Sequence, residues 1–89
     1  MNSAKDTKGK LDYTLVPTKI LTDIAKVREY GTKKYGDSEN WRKVPVIEYK
    51  KALYRHWIAY IGGEQIDPES LLPHIAHIAC NCAFIMELE

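Results

Sequence analysis

Apolar residues recur at helical spacing in three stretches of the chain, and no segment reads as a strand. Ile20, Leu21, Ile24, Ala25 and Val27 follow the first such pattern. Pro17 suits a first helical position and Gly36 a helix stop, so the spacing predicts a helix over about 17–35. Residues 11–16 read as a short extended lead-in, with Pro17 holding Val16 out of the α region. Residues 37–45 form a loop of turn formers closed by a proline. From about 46 to 61 two apolar faces share one helix, Tyr49, Leu53, Trp57 and Tyr60 on one and Ile47, Tyr54, Ile58 and Ile61 on the other. That pattern predicts burial on both sides, in a bundle centre or at a subunit interface, and Gly62-Gly63 ends the helix.

Asp67-Pro68-Glu69-Ser70 has the form of a helix start: a cap, a first-turn proline and an acid near the positive end of the dipole. Pro73 interrupts it, having no N–H to offer the Glu69 carbonyl. The expectation is a short turn or kinked entry, then a helix from about 72 to 88. The predicted fold class is all-α, three helices completed by dimerisation or higher oligomerisation. Residues 1–10 read as a flexible basic tail and 11–89 as a single helical domain.

Length supports the oligomer expectation. A chain of 89 residues buries only a little over half of its unfolded surface, which leaves a lone monomer marginal. An apolar share of 45% with nine aromatics excludes a disordered chain. No apolar run approaches the ~20 residues that span a bilayer, and the polar N-terminus has no signal-peptide core, so no membrane partner is expected. Cys80 and Cys82 are two residues apart on one helix and point in different directions, which predicts free thiols and a cytoplasmic setting.

The net charge of +1 hides a division. Residues 1–55 carry all 13 lysines and arginines against seven acids, a net of +6. Residues 56–89 carry no cation, five acids and all three histidines, a net of −5 before any histidine is protonated. The acidic half would repel a long phosphate backbone, which argues against duplex nucleic acid. A small anionic ligand bridging both halves fits better.

His74, His77 and Asn81 stand at i, i+3 and i+7 on the last helix, opposite a stripe of Ile75, Ile78, Cys82 and Ile85. Histidines on adjacent turns are able to converge on one ion or one phosphate, although water or core carbonyls satisfy many such pairs. Glu64, Asp67 and Glu69 precede that helix, and His56 lies on the one before. A tight reversal would bring all of them together. Carboxylates suit Mg²⁺ and imidazole shifts the preference towards Mn²⁺, so Glu64, Asp67, His74 and His77 are the candidate metal ligands. N-capping alone accounts for Asp67, which makes Glu64 the more informative acid. In the basic half, Lys33, Lys34, Arg42 and Lys43 flank a loop with Asn40 and Trp41, a set suited to phosphates and a stacked base. A solvated surface loop is the plainer reading, although a tryptophan in a polar loop usually packs on something. Arg55 follows no acid at i−4 and is free to meet a ligand phosphate. There is no GxGxxG, Walker A loop, Ser-His-Asp arrangement or CxxC pair.

The runs Tyr30-Gly31-Thr32-Lys33-Lys34-Tyr35-Gly36, Asn40-Trp41, Leu53-Tyr54-Arg55-His56, Gly63-Glu64-Gln65-Ile66-Asp67-Pro68-Glu69-Ser70, Leu72-Pro73-His74-Ile75-Ala76-His77 and Asn81 resemble a family of phage and prophage proteins. These are the N-terminal domains of dATP/dGTP diphosphohydrolases, and the resemblance covers about 11–89. It implies a helical bundle in the style of the MazG-like all-α nucleoside triphosphate pyrophosphohydrolases, which act as dimers or tetramers with a divalent metal. Two departures stand out. The Glu-x-x-Glu and Glu-x-x-Asp pairs of MazG-like sites are absent, with only Glu48 on the second helix and His74-x-x-His77 on the last. Leu71 stands where a glycine is common in the narrower family.

The leading expectation is hydrolysis of a purine (deoxy)nucleoside triphosphate to monophosphate and pyrophosphate, with Mg²⁺ or Mn²⁺. His56 and Glu64 are the candidate catalytic residues, with His56 a base or ligand. Lys33, Lys34 and Arg55 would meet phosphates, Asn40 and Trp41 the base. The alternative is a non-catalytic phage sponge that sequesters a nucleotide second messenger of a host defence system. That role would use the same residues and make no demand for carboxylate pairs.

Overall fold

The computed structural model describes residues 8–89, so the first seven positions of the expected tail lie outside the described residues. Three helices make up the fold: α1 (Lys19–Tyr35), α2 (Val46–Ile61) and α3 (His74–Leu88). Short 3₁₀ turns at Tyr13–Leu15 and Asn40–Lys43 precede α1 and α2. Among the described residues the fold is all-α; a single antiparallel bridge joins Ile66 and Pro73 within the α2–α3 loop.

The differences from the expected boundaries are local. The lead-in turns instead of extending, because the Asp12 carboxylate accepts from the Thr14 N–H at 3.0 Å and caps the 3₁₀ turn. α1 begins at Lys19, after Pro17 and Thr18, and closes on Gly36. That glycine adopts φ 75° and donates its N–H to the Thr32 carbonyl at 2.7 Å, the left-handed stop that a glycine makes without steric cost. α3 begins at His74 because Pro73 sits extended immediately before it (φ −59°, ψ 139°), where its missing N–H deprives no helical carbonyl. Asp67–Ser70 forms a turn and not a first helical turn.

α3 occupies the centre, packed against both α1 and α2. Along α1 the half-buried positions are Asp23, Ile24, Val27, Arg28, Tyr30, Gly31 and Thr32, a helical stripe. The inward side of α3 is unusual. Its buried residues are Ala76 and Cys80 together with His74, His77 and Asn81, so the polar row faces in. Ile75, from the apolar stripe, remains 46% exposed. On α2, Tyr49 and Leu53 are half-buried, while Ile47, Tyr54, Ile58 and Ile61 stay 50–65% exposed. The two-sided burial expected of α2 is therefore not met within one chain.

Leu71 stands out in the backbone. It adopts φ 61°, is 75% exposed, and donates its N–H to the Asp67 carbonyl at 2.8 Å. The left-handed region costs an L-residue roughly 1–2 kcal/mol, and a largely exposed side chain returns little packing against it. Leu71→Gly is expected to stabilise the chain by about 1 kcal/mol, after allowing for glycine's larger unfolded-state entropy. The measurement is a higher urea midpoint at an unchanged slope.

Candidate functional site

The site is built by the reversal between α2 and α3. Gly63 at φ 101° turns the chain, and the Glu64 N–H donates to the Ala59 carbonyl at 3.0 Å. Farther on, the His74 N–H donates to the Gln65 carbonyl and the Asp67 N–H to the Leu72 carbonyl, both at 2.9 Å. This clasp lays residues 64–73 beside the start of α3 and brings His56 of α2 against both α3 histidines.

Three imidazoles then form one cluster. His56 and His77 stack with centroids 4.4 Å apart and planes 2° from parallel; His56 and His74 lie 5.0 Å apart. His56 Nδ1 and His74 Nδ1 share a hydrogen bond of 2.8 Å, and His74 Nε2 meets Glu64 Oε1 at 2.7 Å. A second chain runs beside it. Ser70 Oγ donates to Asp67 Oδ2 at 2.8 Å and lies 2.7 Å from His77 Nε2. Since that hydroxyl has spent its one proton on Asp67, His77 Nε2–H is the donor to Ser70. This is not a nucleophilic triad: serine and aspartate approach the same ring nitrogen, with Asp67 Oδ2 3.6 Å from His77 Nε2.

Burial, with the neighbouring His77 and His74, pushes His56 down to about 4. Burial likewise holds His77 below the usual histidine range, against the pull of Asp67. Both rings are therefore neutral at pH 7. Burial favours raising Asp67, but hydrogen bonds from the Ser70 hydroxyl and from the Ser70 and Glu69 N–H groups outweigh it and hold the carboxyl low.

Across the opening, Lys34 Nζ meets Glu69 Oε1 at 2.5 Å and Tyr30 Oη donates to the same oxygen at 2.9 Å. Lys34 and then Tyr30 keep Glu69 below its ordinary value. At the far end Trp41 stacks on Phe84 (4.7 Å, 15°), Tyr49 leans on Phe84 (4.7 Å, 47°), and the Arg42 guanidinium lies 4.3 Å from the Trp41 centroid. Tyr49 Oη donates to the Trp41 carbonyl at 2.7 Å, which ties the loop to α2. The Trp41 ring thus has protein partners of its own.

Arg28 was not singled out by the sequence. It lies over Phe84 at 5.3 Å and Trp41 at 5.9 Å and donates to the Ser38 carbonyl. The available signal was its place among Ile24, Val27 and Gly31 on the inward stripe of α1, where a cation needs a reason.

These groups enclose a cavity of about 580 Å³. Its wall includes Arg28, Lys34, Asn40, Trp41, Arg55, His56, Asp67, His74, His77 and Asn81. Lys33 and Glu64 are not on that wall; Lys33 is one step around α1 from Lys34, and Glu64 stands behind His74. The four residues considered as metal ligands do not share one centre. His74 Nε2 faces Glu64 and His77 Nε2 faces Ser70 and Asp67, and among the described residues no three His, Cys, Asp or Glu side chains converge to hold an ion. Cys80, at the floor, has its thiol pushed up to about 11 by burial, and Cys80 and Cys82 are both free. Among the described residues no helix is long and apolar enough to cross a membrane.

Comparison with known proteins concerns the chain as a whole. A "dATP/dGTP diphosphohydrolase" of Salmonella phage PMBT28 is 30% identical over 88 residues, which is 99% of this chain and 30% of that protein. The chain thus spans less than a third of the relative's length. No solved structure matches it. The family model described as dATP/dGTP diphosphohydrolase, N-terminal, matches residues 2–89, and the chain belongs to that family.

Proposed function

We propose that the chain binds a purine (deoxy)nucleoside triphosphate in this cavity and hydrolyses it to a monophosphate and pyrophosphate. The observation that carries the reading is His56: a neutral imidazole on the wall of a cavity that also holds Arg55, Lys34 and Arg28. The volume suits a ligand of nucleotide size. Arg55 makes no ion pair among the described residues and is available to a phosphate, whereas Lys34 would exchange Glu69 for one. Asn40 and the Trp41 edge are the wall groups suited to a base. Attack by water at the α-phosphorus needs a proton acceptor. His56 is in its basic form at neutral pH, and an arriving polyanion would raise its proton affinity as the reaction requires it. The Mg²⁺ or Mn²⁺ of this reaction is assigned to the substrate, carried in on the phosphates. The exposed apolar faces of α2 and α3 support a homo-oligomer in which a second copy covers them.

A second reading is retention of an intact nucleotide, favoured by the way the histidines and acids already satisfy one another. One experiment separates the two. The protein is incubated with dATP, dGTP and cyclic nucleotides, with Mg²⁺ or Mn²⁺, and the products are separated. Pyrophosphate release from a purine triphosphate is expected, with KM raised about 10-fold by Arg55→Ala through loss of a charge-assisted contact. Tight retention of unchanged nucleotide in the presence of a chelator would replace this reading with the second.

A further inference from the structure

The hydrogen bonds around His74 determine more than position. We infer that Glu64 acts through His74 as a positioning residue that fixes the tautomer of His56, leaving Nε2 of this cavity-wall residue with a bare lone pair. The chain of reasoning starts at the carboxylate. A carboxylate only accepts, so the 2.7 Å contact places a proton on His74 Nε2. A neutral His74 then has only a lone pair on Nδ1. The 2.8 Å contact between the two Nδ1 atoms needs one proton, and His56 supplies it. His56 Nε2 is left bare.

The competing arrangement protonates His74 on both nitrogens and moves the His56 proton to Nε2. It needs three protons on the two rings, where two already complete both hydrogen bonds. Glu64 has no place on the cavity wall, so it exerts this influence one residue removed, as carboxylates behind a ligating or catalytic histidine do. The use of the lone pair rests on the reading of His56 as proton acceptor; the tautomer itself does not.

The test therefore needs no nucleotide. Long-range proton–nitrogen correlation spectra of the nitrogen-15-labelled full chain at neutral pH report which ring nitrogen of each histidine carries the proton. The expected pattern is His56 with the proton on Nδ1 and His74 with it on Nε2. A His56 protonated on Nε2, or a doubly protonated His74, would overturn the inference. Glu64→Ala removes a half-exposed side chain whose hydrogen bond is to the His74 ring, and is expected to release His56 towards the Nε2–H form; an unchanged His56 tautomer in that variant would remove Glu64 from the role. If the chain hydrolyses triphosphates, the same variant should lower kcat about 10- to 100-fold with little change in KM. The expected spectrum without any hydrolysis would keep the inference and dismiss only the enzymatic reading.

Discussion

His56→Asn is expected to lower kcat for triphosphate hydrolysis by about 10²–10⁴-fold while leaving nucleotide affinity near that of the parent chain. Asparagine is chosen for its geometry. Its amide N–H lies close to where the imidazole Nδ1–H lies, so the donor to His74 Nδ1 survives and the cluster keeps its hydrogen bond. Nothing in asparagine takes the place of Nε2. The substitution thus removes the proposed acceptor and little else, apart from the stack on His77. The checks are steady-state pyrophosphate release and calorimetric nucleotide binding, run side by side. A loss confined to kcat assigns His56 to the chemical step. A variant that turns over at the parental rate would show that water is activated elsewhere, and the acids of the cavity would be the next groups to replace. Loss of binding with kcat intact would make His56 a contact to the ligand.

How far the sequence could lead to this site varied from element to element. The three helices followed from apolar spacing, and the meeting of His56 with His74 and His77 followed from the reversal at Gly62-Gly63. The pairing inside the cluster did not follow, because it depends on tenths of an ångström. Spacing offers Glu64, Asp67 and Ser70 equally to either α3 histidine; the folded loop gives Glu64 to His74 and the other two to His77. Lys33 and Lys34 are likewise indistinguishable as a dipeptide, yet 100° of helical rotation puts only Lys34 on the cavity wall. The inward turn of the His74, His77 and Asn81 row ran against the usual preference for burying the apolar side. Hydrogen bonds to His56, Glu64, Ser70 and the His77 carbonyl compensate the buried polar atoms of that row. Trp41 illustrates a partial signal. A tryptophan in a polar loop calls for a packing partner, but only the fold identifies that partner as Phe84, more than forty positions away.

Phe84→Ala is expected to cost about 2–4 kcal/mol, the largest stability effect of any single truncation in the chain. The reason is how little apolar core there is to share the load. Ala76 and Cys80 are the buried apolar residues among those described, and neither has much side chain to lose. Phe84 is the common member of the aromatic group: Trp41 and Tyr49 both lie 4.7 Å from it, and the Arg28 guanidinium sits over its face. Truncation removes two ring pairs, worth about 0.5–1.5 kcal/mol each beyond area, and opens a cavity between α2, α3 and the Asn40–Lys43 turn. Against a total of about 5–15 kcal/mol for a domain, and the low end for one this small, such a loss populates the unfolded state visibly. The measurement is urea unfolding at several protein concentrations, since any coupling to self-association would make the midpoint depend on concentration. Phe84→Leu separates the two contributions, keeping most of the volume and losing the stacking, with an expected cost near 1 kcal/mol. A Phe84→Ala chain within about 0.5 kcal/mol of the parent would move the stabilising contacts to the apolar faces of α2 and α3 that a single chain leaves open. The loop gives a functional readout of the same packing. Trp41 and Asn40 form one wall of the cavity, and once Phe84 no longer holds Trp41 the cost should appear in nucleotide affinity, with the histidine cluster at the other end unchanged.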